Sequence, residues 1–221
     1  MPFISHRLLL FILFVLTVNV SQADITAKET ASLCQANCIS PYGMALGNSR
    51  EGVEAYSNCR PECKSYEPNK WKGTFTGVKW QCVEYARRWL LINKGAIYGD
   101  VEVAADIWDK IDHLTHVATQ KKLPLENHVN GSNKQPQAGD LLIYARAFYD
   151  TGHVAVVTNV DYEKGVVEVA EQNYKNEPWA GDYSRSIDLV KKGDNYWLLD
   201  GYLLGWKHVK DQNAGSEAKV D

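Results

Sequence analysis

No excess of basic residues marks this chain: 24 Lys and Arg stand against 27 Asp and Glu in 221 residues, a formal net charge of −3. A nucleic-acid partner needs a basic patch or stripe, so that class is excluded. Beyond the first two dozen residues no apolar run is long enough to span a membrane. No carboxylate-and-histidine cluster surrounds His113 and His116, which lie on or just beyond an expected helix starting near Val101. They read as surface residues, and neither a metal nor a cofactor is expected. The remaining composition, 45% hydrophobic and 23% charged, is ordinary for a globular protein. It excludes a wholly disordered chain, and the length suits one full-sized domain better than two.

The N-terminus has its own character. His6 and Arg7 precede an apolar run from Leu8 to Val20, and Ser21-Gln22-Ala23 offers small residues for cleavage. That is the layout of a secretory signal peptide over residues 1–23; a retained signal anchor is the alternative. Removing it leaves 23 basic against 27 acidic residues, net −4. The mature chain is then expected in an oxidising compartment, with no membrane partner.

Cysteine is sparse and odd in number: Cys34, Cys38, Cys59, Cys63 and Cys82. The first four form two pairs with three residues between the members. On a helix such spacing puts both sulfurs on one face. Two such turns packed antiparallel allow Cys34–Cys63 and Cys38–Cys59 bridges, although four cysteines permit three connectivities. Asn58-Cys59-Arg60-Pro61-Glu62 argues against a long regular helix at the second pair. Zinc is the rival reading, disfavoured by secretion. Cys82 is left over, which points to a reactive thiol or an intermolecular bridge.

From Gly77 to Gly95 nothing breaks a helix, and Gly95 suits a C-cap. Val83, Ala86 and Leu90, with Tyr85 and Trp89, recur at the spacing of a buried helical face. Cys82 is therefore expected in the first turn. Free backbone N–H groups and the helix dipole there favour a thiolate and are placed to receive an oxyanion. A small buried apolar cysteine is the plain alternative.

A partner base is available. His6 leaves with the leader, His208 borders a polar tail, and His128 precedes the sequon Asn130-Gly131-Ser132, a candidate N-glycosylation site. His153 differs from these. Thr151-Gly152 opens the valine-rich stretch His153 to Val160, Asp161 to Gly165 supply a turn, and Val166 to Ala170 read as the returning strand. Antiparallel pairing brings His153 beside Glu171, Gln172 and Asn173. A thiol, an imidazole base and a group that orients the imidazole complete the logic of a cysteine nucleophile.

Three blocks in order carry a specific likeness: Trp80-Gln81-Cys82-Val83-Glu84-Tyr85-Ala86-Arg87-Arg88, Asp150-Thr151-Gly152-His153-Val154-Ala155 and Ala170-Glu171-Gln172-Asn173. They resemble the CHAP family of cysteine amidases and peptidases. Within it the likeness is to the amidase domain of bifunctional glutathionylspermidine synthetase/amidase and its trypanosomatid relatives, from about Tyr42 to Trp206. The resemblance implies an α+β, papain-like single domain, with the nucleophile helix packed on an antiparallel sheet. It assigns Cys82 as nucleophile, His153 as base and Glu171 as the group orienting the imidazole. Arg87 and Asn173 match substrate-contacting positions, although a solvated helix face is the alternative for Arg87. Gln81 is a third candidate, either assisting the oxyanion or purely structural.

The expected organisation is a leader over 1–23, a cysteine-containing segment over 24–40, the amidase domain over 41–209 and a disordered polar tail over 210–221. No synthetase activity is expected. The expected function is secreted, cysteine-dependent hydrolysis of an amide through a thioester. Location makes peptidoglycan stem-peptide or cross-bridge amides, next to Gly or D-Ala, the expected substrate, with a polyamine conjugate as the alternative. The resemblance favours conjugates of the glutathionylspermidine type, cut between a glycine carbonyl and the polyamine. A secreted binding module without catalysis and a covalent dimer through Cys82 are the readings from other classes.

Overall fold

The computed structural model describes residues 37–210. The leader, Cys34 and the tail from 211 onward lie outside the described residues. Among those described, strands dominate and two helices accompany them, an α+β arrangement. Nine strands form one sheet, antiparallel at every pairing. Along the sheet they are β12 (Asn195–Leu198), β11 (Arg185–Lys192), β10 (Val166–Ala170), β9 (His153–Asp161), β8 (Leu141–Tyr144), β13 (Leu203–Val209), β7 (Lys122–Val129), β6 (His113–His116) and β5 (Ala96–Ile97). Two small hairpins precede the sheet, β1 (Ala45–Asn48) with β2 (Glu54–Tyr56), and β3 (Pro68–Trp71) with β4 (Thr74–Val78).

Successive side chains on a strand point to opposite faces. Strands β8 and β9 use this to serve two cores. Leu141, Ile143, Val154 and Val156 pack on one face with Tyr85, Ala86, Trp89 and Leu90 of helix α1 (Cys82–Lys94). On the other face, Leu142, Ala155 and Val157 join Val167, Val169, Ile187 and Trp206. Burial on both sides explains why these strands read as unbroken apolar runs rather than as alternating patterns. Each fully buried Leu, Ile or Val side chain is worth about 1.5–3 kcal/mol of transfer free energy.

Helix α1 forms where the sequence puts it. Gln81 is the N-cap, and Gly95 adopts the left-handed conformation at the C-cap, its N–H donating to the Leu91 carbonyl. A second helix, α2 (Asp106–Lys110), begins five residues later than the sequence suggests, and His113 and His116 belong to a strand that follows it. His208 lies near the end of β13, with Nδ1 2.6 Å from the Asp140 carboxylate.

Cys38 and Cys59 form a disulfide, and Cys63 is disulfide-bonded too. In keeping with Asn58-Cys59-Arg60-Pro61-Glu62, no helix forms at the second pair: residues 59–63 form bends and a turn, and Cys59 has a φ of 74°. Pro61 explains this, because it removes a helical donor and restricts Arg60 before it.

Candidate active site

Helix α1 aims its first turn at the end of the sheet. Gln81 is extended and makes no side-chain cap to the first-turn N–H groups. Cys82 is the first helical residue and only 7% exposed. Its thiol hydrogen-bonds to His153 and accepts from the backbone N–H groups of Val83 and Val154. His153 opens β9, one residue after Gly152, whose φ is +71°. A Cβ on Gly152 would stand 2.6 Å from the Tyr144 carbonyl oxygen and 2.8 Å from Ala105. Glycine is thus required there, and it fixes where the histidine emerges.

Glu171 follows directly on β10. Its Oε2 lies 2.8 Å from His153 Nε2, and both side chains are buried. With Nε2 engaged, the thiol contact falls to Nδ1. The carboxylate is held from behind as well, since Arg185 Nε donates to Oε1 at 2.7 Å and Ser184 Oγ donates at 3.3 Å. Arg185 in turn donates to Asp200 at 2.7 Å and to the Tyr144 hydroxyl at 3.0 Å, with its guanidinium 4.4 Å from the Tyr174 ring centre. A chain of charges thus runs from Cys82 through His153, Glu171 and Arg185 to Asp200.

The electrostatics follow from this chain. Burial alone would push the Cys82 thiol up, but the positive charge and hydrogen bond of His153 and two backbone N–H groups outweigh it and hold the thiol below its ordinary value. Burial pulls His153 down, and the Cys82 thiolate and Glu171 overcome this, raising it to about 9. Burial likewise pushes Glu171 up, yet Arg185 and His153 bring it down to about 2. The site therefore sets a thiol held below its ordinary value beside a raised imidazole, with a depressed carboxylate behind it.

Because Glu171 is depressed from 4.5 to about 2 in the fold, its contribution to stability is present above 4.5 and is lost as pH falls toward 2. Urea denaturation of the wild type and Glu171→Gln should accordingly show a stability difference that is largest above pH 5 and shrinks on acidification. A pH-independent difference would show that Glu171 is not ionised as described.

Of the three residues proposed to touch substrate, two are tied to the protein and one is buried. Gln81 Nε2 donates to the Cys63 carbonyl at 3.1 Å, and its Oε1 accepts from Asn173 Nδ2 at 2.8 Å. Asn173, at φ 56°, also accepts from Asn58 Nδ2 at 3.1 Å. These two amides brace the loop before α1. Arg87 is not on a solvated face: it is 6% exposed, its guanidinium lies 5.4 Å from Phe75 and 5.8 Å from Tyr98, and it pairs with Asp100 at 2.9 Å. Asn130 is half-buried, and its amide both donates to the Leu198 carbonyl and accepts from the Leu198 N–H.

A buried network beneath the nucleophile has no counterpart among the expected site residues. Glu84, fully buried one turn of chain past Gln81, accepts from Arg88 Nε at 2.7 Å, Asn69 at 2.9 Å, Thr76 at 3.0 Å and Gln172 at 3.2 Å. Arg88 also donates to the Glu54 carbonyl at 2.7 Å. Gln172 donates to the Gln81 carbonyl at 3.3 Å and accepts from the Tyr56 N–H at 2.8 Å. The i,i+4 spacing of Glu84 and Arg88 was the available signal.

The descriptor that fits this arrangement comes from comparison with known families: residues 73–173 match the CHAP domain, a stretch that contains Cys82, His153, Glu171 and Asn173. The chain carries a CHAP domain. The bifunctional glutathionylspermidine synthetase/amidase of Escherichia coli (strain K12) is 35% identical over 184 residues, covering 75% of this chain and 29% of that protein. The trypanothione synthetase of Crithidia fasciculata is 36% identical over 162 residues, covering 72% of this chain and 24% of that protein. The glutathionylspermidine synthase of the same organism is 29% identical over 194 residues. This chain thus spans less than a third of the length of these relatives. Among the described residues no group of His, Cys, Asp and Glu could hold a metal ion, and no helix is long and apolar enough to cross a membrane.

Proposed function

We propose that this protein is a secreted cysteine amidase that hydrolyses the amide between a glycine carbonyl and an amine, in a conjugate of the glutathionylspermidine type. The observation that carries the reading is the buried, hydrogen-bonded Cys82–His153 pair at the start of α1, with Glu171 behind it, inside a CHAP domain. The Cys82 thiolate adds to the amide carbonyl carbon, and first-turn N–H groups of α1 receive the developing oxyanion. As the C–N bond breaks, His153 gives its proton to the leaving amine nitrogen. Water, deprotonated by His153, then attacks the thioester, releasing the free acid and restoring the thiol. Glu171 keeps the imidazole oriented throughout.

The choice of amide rests on similarity across 75% of the chain to a protein whose name includes glutathionylspermidine amidase. The peptidoglycan expectation rests on the leader alone, and the secreted location rests on the same residues. Incubating purified protein with glutathionylspermidine and, separately, with muropeptides, then weighing the products, tests the proposal. Glutathione and free spermidine are the expected products. Cleavage confined to muropeptides would move the function to the cell wall.

A further inference from the structure

The segments that carry the nucleophile and its orienting carboxylate are clasped by a loop that takes no part in the reaction. Gln81 precedes Cys82 by one residue, and Asn173 follows Glu171 by two. Their amides bond to each other, and both bond to residues 57–63. Asn58 is the hub of that loop. Its Nδ2 donates to Asn173 Oδ1 at 3.1 Å and to the Cys63 carbonyl, which also accepts from Gln81 Nε2 at 3.1 Å. A closed ring of hydrogen bonds thus joins Asn58, Asn173, Gln81 and Cys63. The Asn58 backbone N–H adds a bond of 2.7 Å to Asn176 Oδ1. Asn58 is at 0% exposure, so water does not compete for these bonds.

The loop is held from outside. Residues 57–63 belong to no helix or strand, so their shape is not fixed by a ladder of backbone bonds. Cys59, next to the hub, is bridged to Cys38, and Cys63 is disulfide-bonded as well. Around the first bridge, the Ile39 N–H donates to the Cys59 carbonyl at 2.9 Å and the Ser57 hydroxyl to the Ser40 carbonyl at 2.7 Å. Holding such a turn in one conformation costs backbone entropy at every residue, and cross-links reduce that cost by restricting the alternatives. A displacement here reaches the reacting atoms by a short path. Gln81 is the N-cap of α1, so its setting governs how Cys82 meets His153. Small misplacements of reacting groups are expensive in rate.

We propose that Asn58 is a positioning residue for the Cys82–His153 pair and that the Cys38–Cys59 disulfide holds it in place, so that the enzyme is fully active only with this bridge oxidised. The proposal takes its reaction from the amidase reading and adds the residue and the bond that keep the nucleophile in register. A dithiol such as dithiothreitol would give two electrons to the bridge, opening it to two thiols and leaving as its own cyclic disulfide. The ring of amides would then slacken. A reductant ordinarily protects a thiol enzyme from oxidation, and here it would weaken one.

The test has two readouts. The first needs no substrate: iodoacetamide labelling of Cys82 near pH 6, followed by mass spectrometry of its peptide, reports how readily the thiol ionises. Asn58→Ala should label about tenfold more slowly than the wild type. Gln81→Met opens the same ring from a half-buried position and should move the same way, which decides the matter if Asn58→Ala does not fold. Leu198→Ala, a truncation in the other core, lowers stability but should label as the wild type does. Dithiothreitol, removed before labelling, should slow the wild type, glutathione disulfide should restore it, and the treatment should add little to Asn58→Ala. The second readout is hydrolysis of glutathionylspermidine, in which the same variants and the same reduction should lower kcat about tenfold with KM nearly unchanged. Slower labelling without hydrolysis by any of the proteins would keep the positioning role and sink the amidase reading alone. Labelling and hydrolysis that Asn58→Ala and Gln81→Met leave unmoved, that Leu198→Ala moves equally, or that reduction leaves unchanged, overturn the proposal and leave the amidase standing. No hydrolysis together with no change in labelling overturns both.

Discussion

Cys82→Ala is expected to lower turnover of the amide substrate by at least about 10⁴-fold while leaving the fold in place. The site loses one sulfur atom from a small buried side chain, so packing changes little. What disappears is the atom that forms the thioester, and no neighbouring side chain can replace it. His153→Ala should cost a similar factor, and the double variant should be little worse than either single one, because the two residues act as a unit. Single-turnover assays with mass detection of the acyl-enzyme separate this from a binding defect. A second readout needs no substrate: iodoacetamide near pH 6 should label Cys82 in the wild type and label it far more slowly in His153→Ala, where the opposing charge is gone. Undiminished hydrolysis by Cys82→Ala would remove the thiol from the mechanism altogether.

The second large effect is on stability. Arg88→Ala would leave the carboxylate of Glu84 at 0% exposure without its opposite charge. Breaking a buried pair from one side costs about 3–5 kcal/mol. For a domain of this size that corresponds to a fall in melting temperature of roughly 10 °C. Replacing both partners together, Glu84→Leu with Arg88→Met, should cost much less, since no charge is then stranded. Calorimetry on the three proteins decides the matter: a loss under about 1 kcal/mol for Arg88→Ala would mean that water reaches Glu84 and that the network is not dry. Activity should also fall in Arg88→Ala, because Gln172 bonds both to this network and to the Gln81 carbonyl at the head of α1.

Much of this was legible in the sequence where a pattern was local. The run from Gly77 to Gly95 carries its helix in its apolar spacing and its glycine stop, and α1 (Cys82–Lys94) lies within it with Cys82 in the first turn. The hairpin from His153 to Ala170 was readable from two valine-rich stretches around a turn, and the strands coincide with them to within a residue. What escaped was set by contacts distant in the chain. Arg185 opens a strand with no local mark, yet it shares the Glu171 carboxylate with His153. For Arg87 a solvated helix face was the alternative to a substrate contact, because sequence does not reveal that Phe75 and Tyr98 close over it.

The lowered pKa of Cys82 arises only once β9, β10 and β11 lie against the head of α1, because it depends on His153, His153 is held by Glu171, and Glu171 by Arg185. In an extended chain these groups are far apart, and Cys82 is then an ordinary thiol with a pKa near about 8.5, protonated at neutral pH. Reactivity is therefore latent during synthesis and arrives with completion of the fold. While Cys38 and Cys59 are finding one another, Cys82 is no better a nucleophile than they are. By the time it becomes one, it is enclosed at the foot of the site, where access is limited to what the site admits.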